Sequence, residues 1–529
     1  MTVMDFAKEQ TAQAGPHLQA IRRFIGLRGV ILCIGFLLAT LLALPGATVT
    51  TKYVNDLFIY LDGAHRIWSG QVPNVDFHSS LGPLAFYLPA AGYGLTGSMA
   101  AAMPVGMALV VVLFAIVVAE VIGSRMQWMI GLPLAAFLLL IAAAPANPGE
   151  WLGELTFAMF YNRLGWAALG LLLVMYLPRT RQSPRPEMKD AACATFLVLL
   201  MLYTKITYGL VNVAFLLFLL SDRRQYRWAI LSLGLCIAIV LLIEAIWQGG
   251  INHLADLRLA SQVSGGIPSA RMLTDIALRN LADVTIYAIF AVLFLLSRRR
   301  LRDLLFIGFC VATGFLIIDQ NFQTLGILTL GASAAVIAEL LLRSESAPKF
   351  RRLSRGLPML LAALLLPATV SNAASLTIHF LYAVSGKGEQ ISLPNFEGIR
   401  LVPMWSTGQY DYFRRYNETL ADGAAALADL GEQPAHVVVL DFVNPFSAGM
   451  PLPSPAGDSA WYHWGRTLNR DHHPSAEEIF ADATLVLDPK SPIEIWTASG
   501  MREIYADYIA DHYQLVTETE YWRIYRRRS

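Results

Sequence analysis

Along most of this chain the apolar residues do not alternate with polar ones; they run. Runs at 27–47, 102–122, 128–146, 160–177, 190–204, 206–221, 228–247, 281–297, 304–318, 324–342 and 357–378 predict eleven membrane-spanning helices. A crossing needs roughly 20 apolar residues, and the shorter runs reach it only where flanking residues thin or bridge the interface. A further apolar stretch, 82–98 (GPLAFYLPAAGYGLTGS), is broken by Gly and Pro. Whether it crosses decides the topology, and the distribution of basic residues arbitrates. If 82–98 stays on one side, Arg22, Arg23, Arg28, Arg125, Arg179, Arg181, Arg185, Lys189, Arg223, Arg224, Arg227, Arg298–Arg300, Arg302, Lys349, Arg351, Arg352 and Arg355 all face the cytoplasm. The opposite loops hold only scattered bases such as Lys52, Arg66, Arg163, Arg258 and Arg271. The segment 82–98 is therefore expected to be interfacial or re-entrant, with the first outer loop, 48–101, amphipathic and lying on the membrane.

Past residue 378 the pattern changes. HVVVLDF (436–442) reads as a buried strand and EEIFADATLVLDP (477–489) as a helix feeding a strand. MREIYADYIADHY (501–513) has helical spacing, and the closing QLVTETEYWRIYRRR reads as a hairpin. The predicted architecture is an all-α polytopic membrane domain followed by a small α/β domain. Its expected parts are a cytoplasmic N-terminus (1–26), a transmembrane module (27–378) and an outer domain (379–529), periplasmic in a bacterium. Residues 1–24 are polar and no cleavage site follows the first apolar run, so 27–47 is expected to remain as an uncleaved helix.

Composition narrows the function classes. Of 529 residues, 55% are hydrophobic and only 15% charged, against about a quarter in ordinary soluble chains. A net charge of +1 gives no electrostatic case for nucleic acid. Cys33, Cys193, Cys236 and Cys310 lie scattered within apolar runs, as small packing residues do. There is no Walker loop, GxSxG elbow or HExxH.

Polar groups at membrane depth are costly and therefore informative. In YVNDLFIYLDGAHRIWSGQVPNVDFHSSLGPLAFY, Asp56 closely follows the first span and is either the N-cap of the next helix, a chemical group, or both. Asp62 and Arg66 sit four apart and are expected to pair on one helix face. Asp76 and His78 read as a turn aspartate with a solvated histidine, or as ligands or acid/base groups. Glu150, Glu154, Asn162, Arg163, Lys205, Glu244, Asp319 and Asn321 gather at the outer ends of helices. Lys205 interrupts two apolar runs at a tight turn, which leaves it to snorkel or to meet an anionic lipid phosphate; Arg163 admits the same two readings. In the tail, DFVNPFSAGMPLPSPAGDSAWYHWGRTLNRDHHPS is dense in aromatic residues, as suits sugar stacking, membrane contact or a rigid loop core. His472 and His473 as metal ligands are the weaker reading.

An acid just after the first span, an amphipathic helix, then Gly70, Pro73, Asp76, Phe77, Gly82, Pro83 and Leu84 resembles the polyprenyl-phosphate-sugar-dependent GT-C glycosyltransferases, in particular the bacterial family 39-like enzymes. The resemblance extends over most of the chain through the large first outer loop, about eleven spans and the outer C-terminal domain. It implies a catalytic role for Asp56. Many relatives carry paired acids where this chain has Asn55–Asp56, so a divalent metal is not favoured and no cofactor is expected. The implied reaction is inverting transfer of a sugar from a polyprenyl phosphate to an acceptor hydroxyl on the periplasmic face of the inner membrane. Asp56 would act as general base, and Lys205, Arg163 or Arg271 as the cation beside the leaving phosphate. Asp76 and His78 complete the candidate substrate-binding residues. A transporter or flippase, an O-antigen polymerase or ligase, and a non-catalytic scaffold are the rival readings. Charges gathered at one interface, with no visible repeat, speak against transport. The sugar and the acceptor stay open.

Overall fold

Each apolar run folds as a helix, and the polar breaks between runs fall at its ends. The computed structural model describes residues 16–181, 184–265, 269–321, 323, 325–343, 356–405, 407–431 and 435–528. Lys349, Arg351, Arg352 and Arg355, and the N-terminal residues 1–15, lie outside the described residues. The membrane part comprises α1 (Pro16–Ala43), β1 (Thr48–Thr50), α2 (Val54–Trp68), α3 (Leu84–Thr96), α4 (Met99–Arg125), α5 (Trp128–Ala143), α6 (Phe160–Val174), α7 (Pro186–Leu202) and α8 (Ile206–Leu219). It continues with α9 (Tyr226–Trp247), α10 (Gly250–Ser264), α11 (Ala270–Arg279), α12 (Leu281–Ser297), α13 (Leu301–Gln320), α14 (Leu328–Arg343) and α15 (Leu357–Ser385). The protein is mostly helical, 66% of it. Among the described residues five helices are long and apolar enough to cross a membrane, or six if α11 and α12, bent by 89°, form one broken span. These are the helices of a multi-pass membrane protein. The stretch 82–98 folds as α3, whose 13 residues extend about 20 Å, short of a bilayer's hydrocarbon core.

The two ends of the helices differ in chemistry. At the far end of α4, Arg125 and Arg179 both pair with Asp190 (2.7 and 2.6 Å), and Arg28 and Arg179 both reach Glu120 (3.1 and 2.9 Å). At its near end, about 40 Å away by helical rise, the Ala100 carbonyl accepts from Thr48 Oγ1 at 2.6 Å. Arg28, Arg125 and Arg179 therefore sit at one end of α4 and the start of loop 48–101 at the other.

α15 runs on to Ser385, so the compositional change after 378 falls within its last two turns. Beyond it come β2 (Glu389–Gln390), β3 (Ile399–Leu401), α16 (Thr407–Asp429), β4 (Val437–Val439), α17 (Phe446–Gly449), α18 (Ala476–Ile479), β5 (Leu485–Pro489), α19 (Ile495–His512), β6 (Tyr513–Glu518) and β7 (Trp522–Arg527). β1 pairs in parallel with β3, Thr48 opposite Ile399, which sews loop 48–101 to the tail. The second sheet has the order β4-β5-β7-β6. Its first pair is parallel, and β6 with β7 forms the expected hairpin. The strands at 437–439 and 485–489 are wholly buried, which is why they read as unbroken apolar runs rather than alternating ones.

The tail rests on α2. Arg66, with no exposed side-chain surface, donates to Asp62 at 2.6 Å as its spacing predicts, and also to Asp458 at 3.1 Å in the tail. His65 Nε2 lies 2.8 Å from the Leu452 carbonyl, and Phe58 stacks on Phe396 at 4.9 Å. Removing one partner from such a buried ion cluster costs about 3–5 kcal/mol, because the remaining charge stays buried.

Candidate active site

The first turn of α2 borders an open cavity between the membrane part and the tail. Tyr53, in the left-handed region at φ 54°, occupies the N-cap position, and no side chain caps this helix. Asp56 is thus not the N-cap. It lies in the first turn, its Oδ1 3.3 Å from Asn55 Nδ2, and lines a cavity of about 640 Å³. The cavity wall combines Asp56 and Tyr60 of α2, Glu150, Tyr161 of α6, Asn321 at the end of α13, and the tail residues Phe442, Trp461, His463, Arg466 and Glu494. The tail residues come from segments that leave the carboxyl ends of the parallel strands β4 and β5, where open α/β sheets bind their ligands.

The electrostatics are those of a poised base. Burial pushes the Asp56 carboxyl up to about 7; the Arg466 guanidinium opposes that rise and the Glu150 carboxylate adds to it. Lys205, in the turn between α7 and α8, lies just behind the wall. Its Nζ donates to Asn162 Oδ1 at 3.0 Å and to Asn321 Oδ1, and stands 4.9 Å from the centre of the Tyr161 ring. Among the described residues no carboxylate pairs with it. Burial pushes this ammonium down to about 7, and the charge of Arg466 acts in the same direction. A carboxylate half-ionised near neutral pH, Arg466 on the same wall and Lys205 behind it make a combination suited to taking a proton from one group while stabilising negative charge on another.

The motif Gly70–Leu84 positions this lysine. Gly82 N donates to the Thr204 carbonyl (3.1 Å) and Leu84 N to the Tyr203 carbonyl (2.9 Å), so the loop is clamped onto the turn that carries Lys205. A Cβ on Gly82 would lie 2.2 Å from the Tyr203 carbonyl oxygen, so only glycine fits.

The other expected site residues lie elsewhere. Arg163 is buried and donates through Nη1 to the carbonyls of Ala144, Ala146 and Thr156; it binds the 144–156 backbone together rather than lining the cavity. Asp76 Oδ2 accepts from Val72 N at 2.7 Å and holds its own turn. His78 is not solvated. Its Nδ1 meets Asp256 at 2.9 Å and its Nε2 meets Glu478 at 3.0 Å, outside the Asp56 cavity. Arg271 is exposed on α11 and does not line the cavity either. His473 Nδ1 rests against the Asn469 carbonyl at 3.2 Å, and no group of three His, Cys, Asp or Glu among the described residues is arranged to hold a metal ion. Arg466, Trp461 and His463 were not distinguishable within their aromatic-rich loop, because only folding turns these three toward Asp56.

A second cavity, of about 480 Å³ and walled by Trp151, Met404 and Trp405, shares Gln409 with the first. Through Leu152 it adjoins an apolar groove along α15, lined by Leu366, Pro367 and Val370. In comparisons with known proteins, no family model and no curated protein matches the chain.

Proposed function

We propose that this is an integral-membrane transferase that acts on a lipid-borne substrate at the outer face of the bilayer. More particularly, it is a GT-C-type glycosyltransferase using a polyprenyl-phosphate sugar. The observation that carries this reading is the Asp56 carboxyl, raised to about 7 by burial in a cavity that it shares with Arg466, with Lys205 behind the wall. Asp56 takes the proton of an acceptor hydroxyl; that oxygen attacks the anomeric carbon from the side opposite the phosphate. The carbon–oxygen bond to the phosphate breaks, and its electron pair leaves with the polyprenyl phosphate, beside Lys205 and Arg466. The anomeric centre inverts. The phosphate is already a good leaving group, so no acid catalyst is needed, and no metal is invoked. The groove along α15, the second cavity and the Asp56 cavity adjoin in turn through Leu152 and Gln409, which supports a route for the prenyl chain from the lipid side.

In the proposed topology eleven segments cross the inner membrane of a bacterium, with the N-terminus cytoplasmic and the tail domain periplasmic. The ion-paired arginines at the far end of α4 are then the cytoplasmic set favoured by the positive-inside bias. The decisive experiment is transfer from a labelled polyprenyl-phosphate sugar by purified protein. A general base contributes about 10²- to 10⁴-fold, so Asp56→Asn is expected to lower kcat by that factor while gel filtration and Tm stay as in the wild type. A folded Asp56→Asn protein with wild-type turnover would end the proposal.

A further inference from the structure

Three rings on the tail side of the Asp56 cavity form a box. Phe442 and Trp461 stand 5.7 Å apart at 60°, Phe442 and His463 5.6 Å apart at 71°, and Trp461 and His463 6.1 Å apart at 78°. Burial and the neighbouring Arg466 hold the His463 imidazole down at about 4, so the box carries no charge of its own at neutral pH.

Around it, three buried polar atoms have no hydrogen-bond partner: Trp461 Nε1, Asn55 Oδ1 and Glu150 Oε2. All three residues line the same cavity. A buried polar atom left without a partner costs about 1–3 kcal/mol, so the residues of this wall hold one donor and two acceptors whose hydrogen-bonding capacity is unused. Glu494 adds a carboxylate to the same wall.

Trp461 is also shared. It also lines a neighbouring cavity of about 280 Å³ whose walls mix serine and threonine hydroxyls with His78, Asp256, Glu478 and the apolar Leu259. The indole thus borders both the Asp56 cavity and this second space.

We infer that the acceptor is a carbohydrate: one pyranose lies against Trp461 with its reacting hydroxyl toward Asp56, and the glycan continues into the neighbouring cavity. A pyranose has the required duality. Its axial C–H face packs on an aromatic ring, and its equatorial hydroxyls both donate and accept. An extended peptide bearing a serine also offers a hydroxyl, but it has no flat C–H face for the ring box. The inference rests on the glycosyl-transfer reading for its word "acceptor", but the carbohydrate site is testable without turnover.

The test uses full-length protein in phospholipid nanodiscs, free of glycoside detergent, and saturation-transfer NMR with a panel of methyl pyranosides and their disaccharides. At least one saccharide is expected to bind the wild type saturably at millimolar concentration. Trp461→Ala is expected to weaken it about tenfold or more, equivalent to about 1.4 kcal/mol. Trp461→Phe keeps a stacking ring but loses the indole N–H, and should fall between the two. Absence of binding by every saccharide overturns the inference. So does unchanged affinity in a folded Trp461→Ala protein, or binding of a serine-rich peptide alone. Trp461-dependent binding without any transfer from the lipid-linked sugar would keep the carbohydrate site and remove the transferase reading. Asp56-dependent transfer whose KM for a saccharide acceptor ignores Trp461 would do the reverse.

Discussion

A carboxylate taken out of water protonates unless a counter-charge holds it ionised, and Asp56 sits between those limits. Burial raises it to about 7, Arg466 pulls it back, and Glu150 lifts it. As the proposed base it works only when ionised, so kcat/KM should climb as pH rises through about 7. Lys205 works only as an ammonium, and its fall to about 7 makes the rate decline again on the alkaline side. The expected profile is a bell with its maximum near 7. Arg466 sets both limbs. Its positive charge favours ionised Asp56 and disfavours protonated Lys205, so Arg466→Gln should raise both values and move the whole bell to higher pH. Arg466→Lys should leave the bell in place. A pH series of kcat/KM for the three proteins checks this, and a bell that does not move in Arg466→Gln would contradict the shared field. Arg163, by contrast, is occupied with main-chain carbonyls and reads as a structural cation.

At the scale of elements, the segment from Gly70 to Leu84 is a bracket between the first outer loop and the α7–α8 turn. Two of its glycines serve for different reasons. Gly70 has φ 92°, and a Cβ there would meet nothing within 4 Å, so the backbone conformation alone demands glycine. Gly82 is demanded by contact, through the Tyr203 carbonyl. Gly70→Ala is therefore expected to cost about 1 kcal/mol or more of stability through strain and to leave kcat near the wild-type value. Gly82→Ala must push the Lys205 turn away from the cavity. Misplacement by about 1 Å can cost about 10²-fold in rate, so its kcat should drop by that order. Thermal unfolding and turnover measured side by side separate the two; equal turnover in both variants would show that the bracket does not set the position of Lys205.

For the whole molecule, the arrangement is a helical membrane part whose first outer loop is roofed by the tail. β1 pairs with β3, and Arg66 joins Asp62 to Asp458, so the cavity exists only when both parts are assembled. The proposed topology places the roof outside and the arginine-rich loops inside. Arg470 is well exposed in the tail and Arg299 is exposed at the end of α12. In intact cells, Arg470→Cys should react with a membrane-impermeant maleimide, and Arg299→Cys only after permeabilisation. Of the native cysteines Cys193, Cys236 and Cys310 are buried, so the wild type supplies the background. The opposite labelling order would invert the topology and move Asp56 to the cytoplasmic side.

The helices, the strands of the tail and the Asp62–Arg66 pair were legible in the chain because each follows from spacing within one segment: a long apolar run, an apolar block between turns, an i,i+4 offset. Asp56 was legible because an acid next to a membrane span is costly wherever it points. What surrounds it was not. Arg466, Trp461 and His463 lie some 400 positions downstream in a loop whose composition suits several roles, and a parallel β1–β3 pairing brings that part of the chain near. Lys205 was singled out, but its partners Asn162 and Asn321 come from two other helices. Periodicity records which face of an element is apolar; it holds no information on which distant charges share a cavity, and burial together with those charges sets the proton affinity of Asp56.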